Sequence, residues 1–265
     1  MIYQILFNLI SKKMSPTEVD VIVPNFNKGK FLEECIESVL EQDFESWMLY
    51  IIDDNSTDNS LKILKKYESN SKINIIKLKK NKGPSFCRNL GIRLSKSSYI
   101  SFLDSDDLWS KKKLSGQIEF MKKNNYDFTY NDYVSFIDSD KKKYINKTNI
   151  VSKLNFNKFT KNSSINSSTM IVKRNIIKGI FFKKVAILED YLFKCQLLSK
   201  GFIAFKYPDN MDYYRIIKNS RSSKRLKNII YLWKINAQFN KFNFFKNLIS
   251  VLSISINSLK KYGLK

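Results

Sequence analysis

Residues 99–109 read YISFLDSDDLW, an apolar run that stops abruptly in three carboxylates, Asp104, Asp106 and Asp107. Residues two apart in an extended segment point the same way, so Asp104 and Asp106 can address one point at the carboxyl end of a strand. Two acids aimed at one point suit a hard cation and a phosphate. The same letters suit a helix start, because Asp and Ser are favoured caps, and a helix is expected from Lys111, with Asp107 as its cap. The surroundings decide between the two readings.

Upstream, residues 19–24 (VDVIVP) read as a buried strand, and Phe31, Leu32, Cys35, Ile36, Val39 and Leu40 follow at helical spacing. A second strand, 47–52, ends in Asp53 and Asp54 and leads to a helical pattern over 58–67. Residues 73–78 read as a third strand, 81–84 as a turn containing Gly83, 86–94 as a third helix and 99–103 as a fourth strand. Strands alternating with short helices call for right-handed crossovers and a parallel sheet, with ligands bound outside the carboxyl ends of the strands. A polar cluster follows each strand: 25–30, 53–58, 81–85 and DSDD. One such cluster is a cap or a solvated turn; four on one edge make a site.

Downstream the pattern loosens. A helix to Lys123 precedes short strands at 127–130 and 133–137, then a Lys, Asn and Ser rich stretch over 138–166 reads as surface loop or flap. Residues 168–172 are strand-like. Glu189 and Asp190 open a helix over 191–199, where an acidic pair equally suits the helix dipole.

With 47 Lys and Arg against 24 Asp and Glu, the 265-residue chain carries a formal charge of +23, which favours phosphate-rich partners: a nucleotide, nucleic acid or an anionic membrane. There is no histidine, which excludes a His triad, a His metal ligand and an imidazole base. Proton transfer near neutral pH then falls first to a carboxylate. Cys35, Cys87 and Cys195 form no C-x-x-C pair and read as free thiols in a reducing cytoplasm. The apolar run in residues 1–13 is too short to span a bilayer and has no basic region before it. It leaves a membrane-touching helix, or a start at Met14. No acid follows Asp212; apolar residues at helical spacing among Lys and Arg read there as basic amphipathic helices on an anionic leaflet, or as two helices packed on the core.

VDVIVPNFNKGKFLEECIESVLEQDF, IIDDNSTDNS, NKGPSFCRNLGI, SFLDSDDLW and LEDYLFKCQLLSKG resemble, in order and spacing, the family 2 glycosyltransferases with the GT-A fold. The resemblance implies an α/β fold with a Rossmann-like, mostly parallel mixed sheet flanked by helices, here with a basic helical C-terminal extension. It implies an inverting enzyme that uses a nucleotide-diphospho-sugar, a UDP-sugar first, with Mn²⁺ or Mg²⁺. By position, Pro24, Phe26 and Asn27 border the uracil; Asp53 and Asp54 lie at base and ribose; Gly83, Arg88 and Asn89 close over the nucleotide; Ser105 belongs to the donor site. The resemblance makes Asp106 the direct metal ligand and gives Asp104 ribose and metal geometry. It makes Asp190 the general base, with Glu189 beside it orienting sugar or acceptor. Where the family often has Tyr-Arg-x-His and then Ser, this chain has Tyr214, Arg215, Ile216, Ile217 and Ser220, so diphosphate contact rests on Arg215, Lys218, Ser220 or Arg221.

The expected layout is an N-terminal segment over 1–18, a nucleotide-sugar half over 19–110, an acceptor half over 111–215 and a basic tail over 216–265. The implied acceptor is a hydroxyl of a glycan or lipid-linked glycan in bacterial lipopolysaccharide, O-antigen or capsule, met at the cytoplasmic face of the inner membrane by a peripheral protein. Rival readings are a basic nucleic-acid-binding protein, supported by charge alone with no sequence-specific motif, and an inactive relative that binds UDP.

Overall fold

β1 (Val19–Asn25) and β2 (Trp47–Asp53) are buried nearly throughout because both faces of the sheet are covered, as parallel strands require. The computed structural model describes residues 17–137, 143–147, 151–217 and 225–262; the N-terminal segment expected to touch a membrane, and Lys218, Ser220 and Arg221, lie outside them. β3 (Ile73–Lys77) and β4 (Tyr99–Phe102) complete a parallel set with β1 and β2, linked by α1 (Gly29–Leu40), α2 (Ser60–Lys65) and α3 (Pro84–Leu94). Alternate residues feed opposite layers: Val19, Val21 and Val23 meet Leu32, Ile36 and Val39 of α1, while Ile22 turns to the layer of α3. At Gly91 a Cβ would stand 2.5 Å from Ile22 Cγ2, so the glycine lets α3 lie close on β1 and sets the height of Arg88, one turn earlier.

The second half departs from the expectations in detail. The two short strands expected at 127–130 and 133–137 are one, β5 (Phe128–Ile137). Asn131 and Asp132 hid this continuity, but they are polar residues buried on partners: Lys113 Nζ reaches Asn131 Oδ1 at 3.3 Å and Lys206 Nζ reaches Asp132 Oδ2 at 3.1 Å. The helix expected from Lys111 is α4 (Lys113–Asn124); its cap residue is Lys112, so Asp107 does not cap it. Within the stretch expected to be loop, β6 (Lys143–Lys147), β7 (Lys153–Leu154) and α5 (Phe156–Asn162) form, α5 being capped by the Asn155 side chain, which accepts from the Lys158 N–H. Residues 138–142 and 148–150 lie outside the described residues. The strand expected over 168–172 divides into a 3-10 turn, Ser167–Thr169, and β8 (Ile171–Lys173). With β9 (Ala204–Arg215) the sheet runs β3-β2-β1-β4-β8-β5-β9-β7, with β6 on β5; β8 is antiparallel to both neighbours. One mixed sheet therefore passes from the first half of the chain into the second.

Three further helices, α6 (Glu189–Ser199), α7 (Arg225–Phe239) and α8 (Phe244–Tyr262), follow. Leu232, Ile235, Val251 and Ile254 join the core layer that holds α6, so the basic tail packs on the α/β body. The three cysteines are buried free thiols, as expected. Among the described residues no helix is long and apolar enough to cross a membrane.

Candidate active site

The end of β4 alternates as the spacing predicts: Asp104 and Asp106 are partly exposed, Ser105 and Asp107 buried. Asp106 Oδ2 lies 2.6 Å from Lys28 Nζ, on the loop after β1. Burial raises the Asp106 pKa, opposed by Lys28 and assisted by repulsion from Asp104. Asp107 turns inward. Ser168 Oγ donates to its Oδ2 at 2.6 Å, the Arg215 N–H donates to its Oδ1 at 3.0 Å, and the Ser168 hydroxyl accepts the Asp104 N–H at 3.1 Å. Burial, then the charges of Asp106 and Asp104, push the Asp107 carboxyl well above the usual range.

Arg88 spans the cleft. Its Nη2 donates to Asp104 Oδ1 at 2.6 Å and its Nη1 lies 3.5 Å from Glu189 Oε1, which ties the acids after β4 to those that open α6. The guanidinium sits 5.3 Å from the Phe182 ring centroid. Burial works against its charge, but Asp104, Glu189 and Asp190 raise its pKa above the ordinary arginine value. Nε and Nη1 of this buried side chain make no hydrogen bond among the described residues. Asn89, one position on, spends its amide on the Phe182 backbone, at 2.8 Å in both directions.

The loops after β1, β2 and β3 form the opposite wall. Phe26 is 45% exposed at its rim, next to Pro24 and to Asn27, which has a left-handed backbone. Asn27 Oδ1 accepts the Thr57 N–H at 2.8 Å, locking the first loop to the second. Asp53 is buried and takes Asn25 Nδ2 at 2.8 Å and Ser56 Oγ at 2.6 Å. Asp54, also buried, accepts the N–H groups of Lys82 and Gly83 at 2.7 and 2.8 Å and so holds the third loop. Gly83 stands at φ 86°, which favours glycine, just ahead of Pro84 at the start of α3.

Leu188 precedes α6 at φ 65°, an uncommon conformation for a leucine, and no side chain caps the helix. Glu189 and Asp190 project elsewhere: Glu189 to Arg88, and Asp190 Oδ2 to Lys194 Nζ at 2.7 Å and Ser167 Oγ at 3.2 Å. Burial raises the Asp190 pKa, but Lys194 and Arg88 overturn that and hold the carboxyl at about 2. Asp190 is therefore ionised at neutral pH.

The structure thus brings Asp104, Asp106, Glu189 and Asp190 together around Arg88. Arg215 lies beneath it: its guanidinium is 4.6 Å from the rings of both Phe31 and Phe136, and Nε donates to the Asp106 carbonyl at 2.8 Å. Sequence reasoning missed Lys28, Ser168 and Lys194. Lys194 was findable, four residues beyond Asp190 on an expected helix; Ser168 gave no signal, since its contacts are long-range.

The acids fit a hard divalent cation in part. Asp104 and Asp106 offer oxygen ligands whose like charges already need a cation, supplied by Lys28 and Arg88. Among the described residues no group of three or more His, Cys, Asp or Glu forms a cage. A cation held there by these one or two carboxylates would need substrate phosphates to complete its shell.

A family model, Glycosyl transferase family 2, matches residues 20–181. The chain belongs to glycosyl transferase family 2. This family 2 chain is 30% identical over 244 residues to TuaG of Bacillus subtilis, a putative teichuronic acid biosynthesis glycosyltransferase, covering 92% of this chain and 96% of that one. It is 30% identical over 252 residues to WfgD of Escherichia coli, a UDP-Glc:alpha-D-GlcNAc-diphosphoundecaprenol beta-1,3-glucosyltransferase, covering 92% and 95%. Its fold superimposes on Staphylococcus aureus TarS 1–349 in complex with UDP-GlcNAc with a TM-score of 0.69 at 19% identity, over 94% of this chain and 68% of that one. The mannosyltransferase PcManGT from Pyrobaculum calidifontis, in complex with GDP-Man and Mn²⁺, gives 0.67 at 15% identity, over 95% and 75%. The GT-A-like fold expected from the sequence is therefore the one observed, and the chain is a glycosyltransferase related to enzymes of cell-surface polymer synthesis.

Proposed function

We propose that this chain is an inverting, metal-dependent hexosyltransferase that moves a sugar from a UDP-sugar to a hydroxyl of a lipid-linked glycan during bacterial surface polysaccharide synthesis. The observation that carries it is the placement of Arg88, which joins the acids after β4 to those opening α6 and, among the described residues, has two buried nitrogens without a hydrogen bond. The acceptor class is supported by the E. coli relative, whose named acceptor is a diphosphoundecaprenol-linked sugar. Such an acceptor stays in the bilayer, so the enzyme meets it as a peripheral protein at the cytoplasmic face.

In this reading Phe26 offers an exposed ring to the base, while Pro24, Asn27, Asp53 and Asp54 shape the wall around base and ribose. Gly83 and the N-terminal end of α3 close over the nucleotide, Asn89 fixing the segment at Phe182 behind them. Ser105 and Arg215 support the donor side from below. Asp106, with Asp104, would hold Mn²⁺ or Mg²⁺, which supplies Lewis-acid neutralisation of a diphosphate leaving group. Arg88 adds fixed positive charge there without reorganising. The acceptor oxygen attacks the anomeric carbon from the face opposite the diphosphate; the carbon–phosphate-oxygen bond breaks, UDP leaves with its electron pair, and Asp190 takes the hydroxyl proton. Glu189, held by Arg88, orients the sugar or acceptor beside it.

The test is a panel of UDP- and GDP-sugars assayed for nucleotide release with and without Mn²⁺. Release that needs both a UDP-sugar and the cation is expected; no release with any donor would favour the inactive relative. Asp190→Asn should bind UDP normally yet lose on the order of a hundredfold to ten-thousandfold in transfer. Unchanged transfer would remove Asp190 from the base role. Asp106→Asn should weaken Mn²⁺ binding measured by calorimetry in the presence of UDP.

A further inference from the structure

Beside the buried Val251 and Ile254, α8 turns two polar residues inward and leaves a line of apolar residues outward. Asn247 and Ser250 are 1% and 4% exposed, and Asn247 Nδ2 donates to the Trp233 carbonyl at 3.2 Å. Phe245, Ile249, Leu252 and Ile256 lie in one line along the opposite side and are 74%, 51%, 52% and 50% exposed. Phe242 and Phe244 extend the line at 80% and 59%. A contiguous exposed apolar surface of this kind marks an interaction site. Its far end runs into a groove of about 480 Å³ between α5 and α8, where Ile256 and Leu154 give the apolar lining and Lys158 and Lys161 the charged one. Exposed Lys241 and Lys246 stand at the other end.

Charge selects the occupant. Twelve Lys and Arg and no Asp or Glu follow Asp212. A second copy would bring the same positive charge against this face, whereas an anionic bilayer supplies an acyl region for the apolar line and phosphates for its lysines. We infer that the outward face of α8, from Phe242 to Ile256 with its flanking lysines, is the seat on which this protein rests on an anionic lipid bilayer. The tail's composition pointed to such a surface; the structure identifies the residues that enter it. α5 packs against both α8 and α6, so the bilayer seat adjoins the helix that carries Asp190. A lipid-held acceptor would then approach from that side.

The test uses the full chain with vesicles of phosphatidylcholine alone or mixed with phosphatidylglycerol, followed by flotation. Binding to the mixed vesicles and not to the neutral ones is expected. The Ile249→Ser, Leu252→Ser, Ile256→Ser triple variant should keep its circular dichroism and its donor turnover in solution but lose affinity on the order of tenfold or more. Phe242→Ser, at a nearly fully exposed position, should weaken binding in the same direction without touching the fold. Absence of binding, or equal binding by the triple variant, overturns the inference, the latter because charge alone would then suffice. Self-association that the triple variant abolishes, without vesicle binding, reassigns the face to a second copy and overturns it as well. Donor turnover measured without vesicles separates a failure of this inference from a failure of the transferase reading.

Discussion

Lys194 is 2% exposed and spends its ammonium on the Ile165 carbonyl at 2.8 Å and on Asp190 at 2.7 Å, behind the carboxylate and away from the cleft. It positions Asp190 and keeps it charged. The Asp190 pKa is depressed in the folded protein, so the stabilisation from its ionisation is present above the ordinary carboxylate range and is lost as pH falls toward about 2. Lys194→Met removes the main opposing charge. We expect the acid limb of the transfer rate to move to higher pH, while UDP affinity stays constant, and stability to fall by about 1–3 kcal/mol from the unpaired groups left behind. A pH profile and a urea titration of both proteins check the two halves; an unmoved acid limb would show that Lys194 only packs.

Among the elements, α4 is anchored at its start by a buried charged cluster. Lys113 at its start is fully buried, with Asp212 Oδ2 of β9 at 3.2 Å and Gln117 Oε1 at 2.9 Å. Burial lowers the Lys113 pKa and raises that of Asp212, each offset by the other's charge. Removing one partner strands the other, so Lys113→Met should cost about 3–5 kcal/mol in chemical denaturation. The Lys113→Met, Asp212→Asn pair should cost less. Asp54→Ala should release the N–H groups of Lys82 and Gly83, loosen the third loop and raise the KM for donor more than it changes kcat. The first four strands and their loops were legible because each strand is an apolar run closed by a polar cluster. The middle was harder. β5 carries Asn131 and Asp132 in its interior, whose partners Lys113 and Lys206 are distant in sequence. α5 reads FNKFTKN, with only Phe159 and Thr160 buried, too little for a period to show. In the site, spacing pointed to Asp104 and Asp106 and the resemblance to Asp190, but nothing local could show that Asp107 joins Ser168 and Arg215 instead of a helix end.

At the scale of the molecule, a charge of +23 repels itself in the compact state. Tm should rise with added NaCl over the range where the Debye length falls from about 30 Å to about 3 Å, as scanning calorimetry would show; a flat response would mean the acids are placed well enough to cancel the excess locally. The nine-stranded sheet is continuous from the first half of the chain to the second, and Asp107 binds the end of β4 to β9 across the strands between them. The consequence is mechanical. One continuous sheet underlies the site, so its two walls do not sit on separate bodies, and adjustment to a ligand falls to side chains and rim loops. Small-angle scattering should record the same radius of gyration with and without UDP, so any movement that accompanies binding belongs to the rim and not to the frame.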